Sequence, residues 1–340
     1  MNEIIYISPS TFYYWEKCPL QAVLSKLPES RNFFPNNPDA DLGSLIHKFY
    51  EKQNEWKIDS LERFNLKWSH EIIEMNKYYK ENELQSIYFP IQWYASYYTV
   101  KKMLLCNNLI NKPIHFNTNS SEFKYLYEQW INNDVVGGRV DLLVKENGVV
   151  RQVVDFKTGK IFEKLGKTIK LKEVYKQQLA LYASVILENQ NYMPELYIEQ
   201  ISGRRFKVDI DSNYIQDLKK RAIDLKNKIN YTIQNNTFEN LSVCNTENCE
   251  YCFYRHNCDM YKNTFMNKRI GLRIDLIGKI SNVKSDIITL ISGSGNFKIK
   301  NVRKVCKYKV NYDCEVYNLF FPENNDNIVF ETTSTVIKYE

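Results

Sequence analysis

The stretch from Asp134 to Lys160, DVVGGRVDLLVKENGVVRQVVDFKTGK, restricts the folds open to this chain more than any other. VVGGRVDLLV and VVRQVVDF are runs of β-branched and apolar residues, and the ENG between them is a turn signal, so the stretch predicts a β-hairpin. Asp141 lies inside the first run. Asp155 ends the second, with Lys157 two residues on. An aspartate within a Val/Leu strand is destabilised by desolvation unless something cationic compensates it. Two such aspartates on paired strands can converge on a divalent cation, and Lys157 shares the face of Asp155 because strand side chains alternate. Carboxylates plus one ammonium suit hydrolysis of a phosphodiester: a metal polarises the phosphate and activates water, while lysine positions water or steadies charge. The plain alternative is a surface hairpin with solvated charges.

Upstream, Ser8-Pro9-Ser10 signals a helix start, and Phe12, Trp15, Leu20, Val23, Leu24 and Leu27 form an apolar stripe that Pro19 should interrupt. A second helix is expected from Asp41, with Asp41 or Ser44 near its cap and Gly43 allowing close approach of another backbone. His47 and Glu51 share a face of it. His47 reads either as a packed structural residue or as a third metal ligand, with Glu51 behind it. Residues from about Leu61 to Leu109 look helical, with Ile72, Ile73, Met75, Tyr78, Tyr79, Tyr94, Tyr97, Tyr98, Val100, Met103 and Leu104 expected in the core rather than in a base-stacking platform. Ser121 to Ile131 alternates as a third strand; Glu122 on it points either to the metal or to solvent. Cys106 and His115 suggest no role.

Downstream, Lys160 to Lys172 reads as a lysine-rich loop, followed by a helix from about Glu173 to Glu188, a strand from Tyr192 to Ile201 and a basic helix from Asp211 to about Ile233. Gln178 and Tyr182 share a helix face near the carboxylates, where they either hold a phosphate or simply pack. Cys244, Cys249, Cys252 and Cys258 then fall within fifteen residues. The CxxC step brings two thiolates within reach of one metal centre, zinc or iron–sulfur; if Cys18 replaces Cys244, the site closes a long loop. From about Arg269 onward, short β-type runs with Gly, Asn and Asp turns suggest a small OB-like β-barrel, either binding single strands or covering the rest.

The composition sets outer bounds. A net charge of +6 permits a nucleic-acid partner without demanding one. There is no apolar run long enough for a membrane span and no signal-peptide pattern at MNEIIYISPS, so a cytoplasmic protein is expected, in which eight cysteines are free thiols or metal ligands rather than disulfides.

Taken in order, these motifs resemble the RecB-type branch of the PD-(D/E)XK nuclease superfamily, including RecB and AddB nuclease domains and CRISPR-adaptation nucleases with an iron–sulfur cluster. They are Ser8 and Ser10 with Cys18-Pro19; Gly43, His47 and Glu51; Gly138 and Asp141; Asp155-Phe156-Lys157 with Thr158-Gly159; Gln178 and Tyr182; and Cys249, Cys252 and Cys258. The resemblance covers roughly residues 8 to 262. It implies an α/β fold with a restriction-endonuclease-like mixed sheet flanked by helices. His47, Asp141, Asp155 and the Phe156 carbonyl would bind Mg2+ or Mn2+, Lys157 would assist water, and Gln178 and Tyr182 would touch the substrate strand. Cys18, Cys249, Cys252 and Cys258 would hold a [4Fe–4S] cluster, with Cys244 as an extra thiol. The domains expected are residues 1–264, the nuclease, and 265–340, the small barrel.

The function expected is a metal-dependent deoxyribonuclease, an exonuclease or a flap- or end-processing enzyme on single-stranded DNA in repair, recombination or phage defence. The resemblance implies a separate helicase as partner, and the chain has no GxxxxGK[ST] motif of its own. The alternative is a non-catalytic nucleic-acid-binding subunit.

Overall fold

The structure is a computed structural model and describes residues 2–30, 32–111, 123–166, 168–323 and 327–339. Its helices are α1 (Phe12–Lys17), α2 (Leu20–Leu24), α3 (Pro38–Lys52), α4 (Leu61–Glu81), α5 (Tyr98–Asn111), α6 (Glu173–Gln190), α7 (Ser212–Asn235), α8 (Thr246–Cys249) and α9 (Asp259–Phe265). None of the described helices is long and apolar enough to cross a membrane. The chain divides into two compact units: Met1–Glu16 with Asn36–Asn236, and Lys17–Pro35 with Thr237–Glu340. Residues 244–258, the cysteine segment, fall in the second of these units.

The first unit is built on a mixed sheet of β1 (Phe123–Asn132), β2 (Gly137–Glu146), β3 (Val149–Lys157), β6 (Glu195–Gln200) and β7 (Arg205–Lys207), in the order β1-β2-β3-β6-β7. Neighbours are antiparallel except β3 and β6. That parallel pair requires a crossover, which α6 provides. Alternation along the central hairpin sorts its side chains. Leu142, Val144, Val154 and Phe156 join a core with α3, α4 and α5 that includes Phe49, Phe64, Trp68 and Tyr79. The alternate residues Leu143 and Val153 are equally buried. Helix α6 is buried continuously from Gln177 to Ile186, lying between the sheet and α7. This is the mixed α/β architecture with flanking helices that the resemblance implies.

Three local expectations change. Helix α3 starts at Pro38, not Asp41, because the Asn37 side chain accepts from the Asp39 N–H and Pro38 takes the first helical turn, where a missing N–H is harmless. The stretch from Leu61 to Leu109 is not one helical phase. It breaks into α4, two short 3-10 turns around Pro90, and α5, so helical spacing does not carry across it. Ile72 and Tyr79 are buried, but Ile73, Tyr78, Tyr94, Tyr97, Val100 and Met103 are exposed. The loop expected at Lys160–Lys172 contains a two-stranded hairpin, β4 (Phe162–Leu165) with β5 (Thr168–Leu171). Strand β1 is described from Phe123, so Ser121, Glu122 and His115 lie outside the described residues.

The second unit carries β8 (Arg269–Ile270), β9 (Arg273–Lys284), β10 (Ile287–Ser292), β11 (Gly295–Lys300), β12 (Asp313–Phe320), β13 (Ile328–Phe330) and β14 (Val336–Tyr339) in one sheet. The pairings run β9–β10–β11–β13–β12 and return from β12 to β9, with β11 and β13 parallel. Ile274, Leu276, Ile280, Leu290, Ile299 and Val316 fill its core. The cysteine segment is tied to these strands by buried polar bonds. Asp275 accepts from Arg255 Nε at 2.7 Å, Tyr261 Oη at 2.8 Å and the Asn318 N–H at 2.7 Å.

Candidate active site

The hairpin of β2 and β3 turns through Asn147 and Gly148, both at positive φ (50° and 82°), as a two-residue type I′ turn requires. The resulting register puts Leu142 opposite Val154 and Leu143 opposite Val153. Continued one step, it sets Asp141 across from Asp155. The Phe156 N–H donates to Asp141 Oδ2 at 2.6 Å, which holds that carboxylate against the neighbouring strand. Gly138, three residues earlier on β2, has no room for a side chain. An added Cβ would stand 2.9 Å from Pro9 Cδ and 3.3 Å from Tyr182 Cε1.

Asp155 is 2% exposed. Its Oδ1 accepts from Gln178 Nε2 at 2.9 Å, and its Oδ2 stands 2.5 Å from Lys157 Nζ. Burial pushes the Asp155 carboxyl up to about 6, against the opposing pull of Lys157. Burial works against the Lys157 ammonium, but the charges of Asp155 and Asp141 outweigh it and raise its pKa above the usual lysine value. Lys157 also donates to Gln178 Oε1 at 3.3 Å and lies 4.9 Å over the Tyr175 ring. The sequence expectation that Lys157 shares the face of Asp155 is met, and α6 supplies the groups that hold both.

His47 comes from the middle of α3. Its Nδ1 is 3.4 Å from Asp141 Oδ1. Burial disfavours the imidazolium, yet the bond and charge of Asp141 prevail and raise the His47 pKa. His47, Glu51, Glu128, Asp141 and Thr158 line a cleft of about 530 Å³. Gly43 lines it as well, where a Cβ would only touch Thr158 Oγ1 at 3.4 Å, so the close neighbour is a side chain and not a backbone.

Glu128 is the member that sequence reasoning missed. It sits on β1 with φ at 49°, a left-handed conformation in the middle of a strand and a departure of the kind that gathers at functional sites. Burial, and then the charge of Asp141, raise its pKa. One donor atom each from His47, Glu128 and Asp141 lie within 4.8 Å of one another, the one such group among the described residues. Donors about 2.0–2.4 Å from one ion are at most about 4.8 Å apart, so these three fit a divalent cation, and two carboxylates suit Mg2+ or Mn2+. Of the expected ligands, His47 and Asp141 belong to this group. Asp155 does not: it is held by Lys157 and Gln178. Phe156 stacks its ring on Tyr50 at 4.3 Å. The signal that would have found Glu128 is its place across from Asp141, which exists only once β1 is registered between Tyr127–Leu142 and Gln129–Val140.

The two residues expected to touch substrate have internal partners. Gln178, 8% exposed, bridges Asp155 and Lys157. Tyr182, 3% exposed, donates its hydroxyl to the Arg139 carbonyl at 2.6 Å.

Cys18, Cys244, Cys249, Cys252 and Cys258 all belong to the second unit. Cys249 Sγ lies 3.6 Å from Cys244 Sγ. Burial pushes the Cys252 thiol up to about 11, with Cys18 and Cys258 adding to the effect. Burial also raises Cys258, with help from Cys244 and Cys18. Thiols held neutral in this way become thiolates when a metal centre compensates their charge.

A model of the PD-(D/E)XK nuclease superfamily matches residues 6–259, about three quarters of the chain. The chain belongs to this superfamily. It is a hydrolytic nuclease. Among solved structures, one from Eubacterium rectale named "Putative exonuclease" is similar at 14% identity and a TM-score of 0.33, covering 66% of this chain and 82% of its own. No curated protein matches.

Proposed function

We propose that this nuclease hydrolyses phosphodiester bonds of DNA with Mg2+ or Mn2+, as an exonuclease or a flap- or end-processing enzyme on single-stranded ends. The observation that carries the reading is the Asp155–Lys157–Gln178 triad standing beside the His47, Glu128 and Asp141 donors. An isolated buried ion pair needs no such neighbours, whereas phosphodiester hydrolysis uses both halves. A divalent cation at His47, Glu128 and Asp141 would supply Lewis-acid polarisation of the phosphate and a more acidic water. Lys157, kept protonated by Asp155, offers an ammonium to a non-bridging oxygen or to the attacking water. Gln178 fixes the directions of both side chains. Asp141, pinned by the Phe156 N–H, keeps its Oδ1 toward His47. Roles in repair, recombination or phage defence are consistent with this chemistry.

In the same reading, Cys18, Cys249, Cys252 and Cys258 hold a [4Fe–4S] cluster, with zinc as the alternative, and Cys244 is the spare thiol. Its support is that Cys18 lies near enough to Cys252 and Cys258 for its charge to act on both thiols. The centre would be structural, fastening Cys18 to the later segment within its own unit. Iron and sulfide analysis, with a visible absorption band, separates the two metals. The circuit β9–β10–β11–β13–β12–β9 supports reading the C-terminal sheet as a small OB-like barrel.

The test is Mg2+- and Mn2+-dependent degradation of end-labelled DNA by the wild type and by Asp155→Ala and Lys157→Ala. Loss of cleavage in both variants is expected. Equal degradation by all three proteins would dispose of the assignment, and binding without cleavage at every type of end would favour a non-catalytic subunit.

A further inference from the structure

Immediately beyond the catalytic strand, the chain leaves the sheet as β4 and β5. The segment from Lys160 to Lys172, KIFEKLGKTIKLK, holds five lysines and one glutamate. Phe162–Leu165 is exposed throughout, and Thr168–Leu171 is exposed but for Leu171. Leu165 and Ile169 are 54% and 74% exposed. A short hairpin that buries so little does not stabilise itself in water. This one is anchored at its base. Ile161 is 1% exposed, its carbonyl accepts from the Lys172 N–H at 3.0 Å, and Phe162 meets the Phe206 ring edge-on at 5.2 Å. The base adjoins the cleft, since Thr158 lines it and Lys157 belongs to the triad.

The charges of cleft and hairpin are opposed. Glu51, Glu128 and Asp141 face the cleft, while two nearby lysines are engaged, Lys157 by Asp155 and Lys48 by Glu71 at 2.6 Å, and Arg139 acts on Glu128. Among the described residues, Lys160, Lys164 and Lys170 have no ion-pair partner, although Glu163 stands opposite Lys170 across the hairpin. An acidic cleft repels a polyanion until cations beside it draw the strand in.

We propose that the β4–β5 hairpin is a phosphate-gripping arm, in which Lys160, Lys164 and Lys170 hold the backbone of the nucleic-acid strand next to the cleft. This rests on the nuclease reading above and adds to it where the substrate is held. The test is binding of a labelled single-stranded oligonucleotide, in EDTA so that nothing is cut, followed by fluorescence anisotropy across a salt series. For the Lys160→Gln/Lys164→Gln/Lys170→Gln variant, three lost phosphate contacts at about 0.7 each make the slope of log affinity against log salt shallower by about 2, and lower affinity about 100-fold at 0.1 M salt. The matching triple arginine variant should keep the wild-type slope. If the triple glutamine variant unfolds, Lys164→Gln alone should lower the slope by about 0.7. Wild-type slope and affinity in a folded glutamine variant would overturn the arm. Failure of the nuclease reading would show separately, as wild-type protein that binds the oligonucleotide but never cuts it when Mg2+ or Mn2+ is added.

Discussion

Gln178→Ala separates two roles for one residue. The family resemblance places this glutamine on the substrate strand, whereas its observed contacts are a donated bond to Asp155 Oδ1 at 2.9 Å and an accepted one from Lys157 at 3.3 Å. Its side chain is almost wholly buried, so truncation leaves a buried carboxylate short of one charge-assisted bond and frees the lysine to swing. A hydrogen bond to a charged group contributes about 1.5–3 kcal/mol. If that is lost where Lys157 must meet the reacting phosphate, kcat falls about 10- to 150-fold. Oligonucleotide affinity without metal should stay within about twofold, because ground-state binding does not use the bond. The assay is steady-state cleavage of a fluorogenic oligonucleotide, with affinity measured separately by anisotropy. Unchanged kcat with a raised KM would refute the positioning role and return Gln178 to the substrate strand.

Two further outcomes follow from particular contacts. Glu128→Gln should raise the Mn2+ concentration needed for half-maximal cleavage at least 10-fold, since loss of even an outer partner of a metal site costs about 10–100-fold in affinity; calorimetric titration of Mn2+ checks it, and unchanged affinity would remove Glu128 from the site. Asp275→Ala strands the buried Arg255 cation and leaves the Tyr261 hydroxyl and Asn318 N–H unpaired, so urea unfolding followed by circular dichroism should show a loss of about 3–5 kcal/mol. A loss under about 1 kcal/mol would mean that water or neighbouring groups take over these bonds.

Much of this protein was legible in one dimension because its signals are local. Alternation and a turn dipeptide predicted the β2–β3 hairpin, period two put Lys157 on the face of Asp155, and ordered motifs pointed to the superfamily that the family match then showed. Cap and lysine patterns were less dependable. The Asn37-Pro38 start competed with Asp41, and a basic stretch conceals a hairpin whose strands are too short and too polar to announce themselves. Tertiary structure alone decided what meets what. Glu128 enters the cleft through strand register and a left-handed kink, and Asp155 is drawn to Lys157 and Gln178 rather than into the donor group of His47. Neither is written in spacing along the chain, because convergence of charges depends on which strands pair and on how deeply each carboxylate is buried.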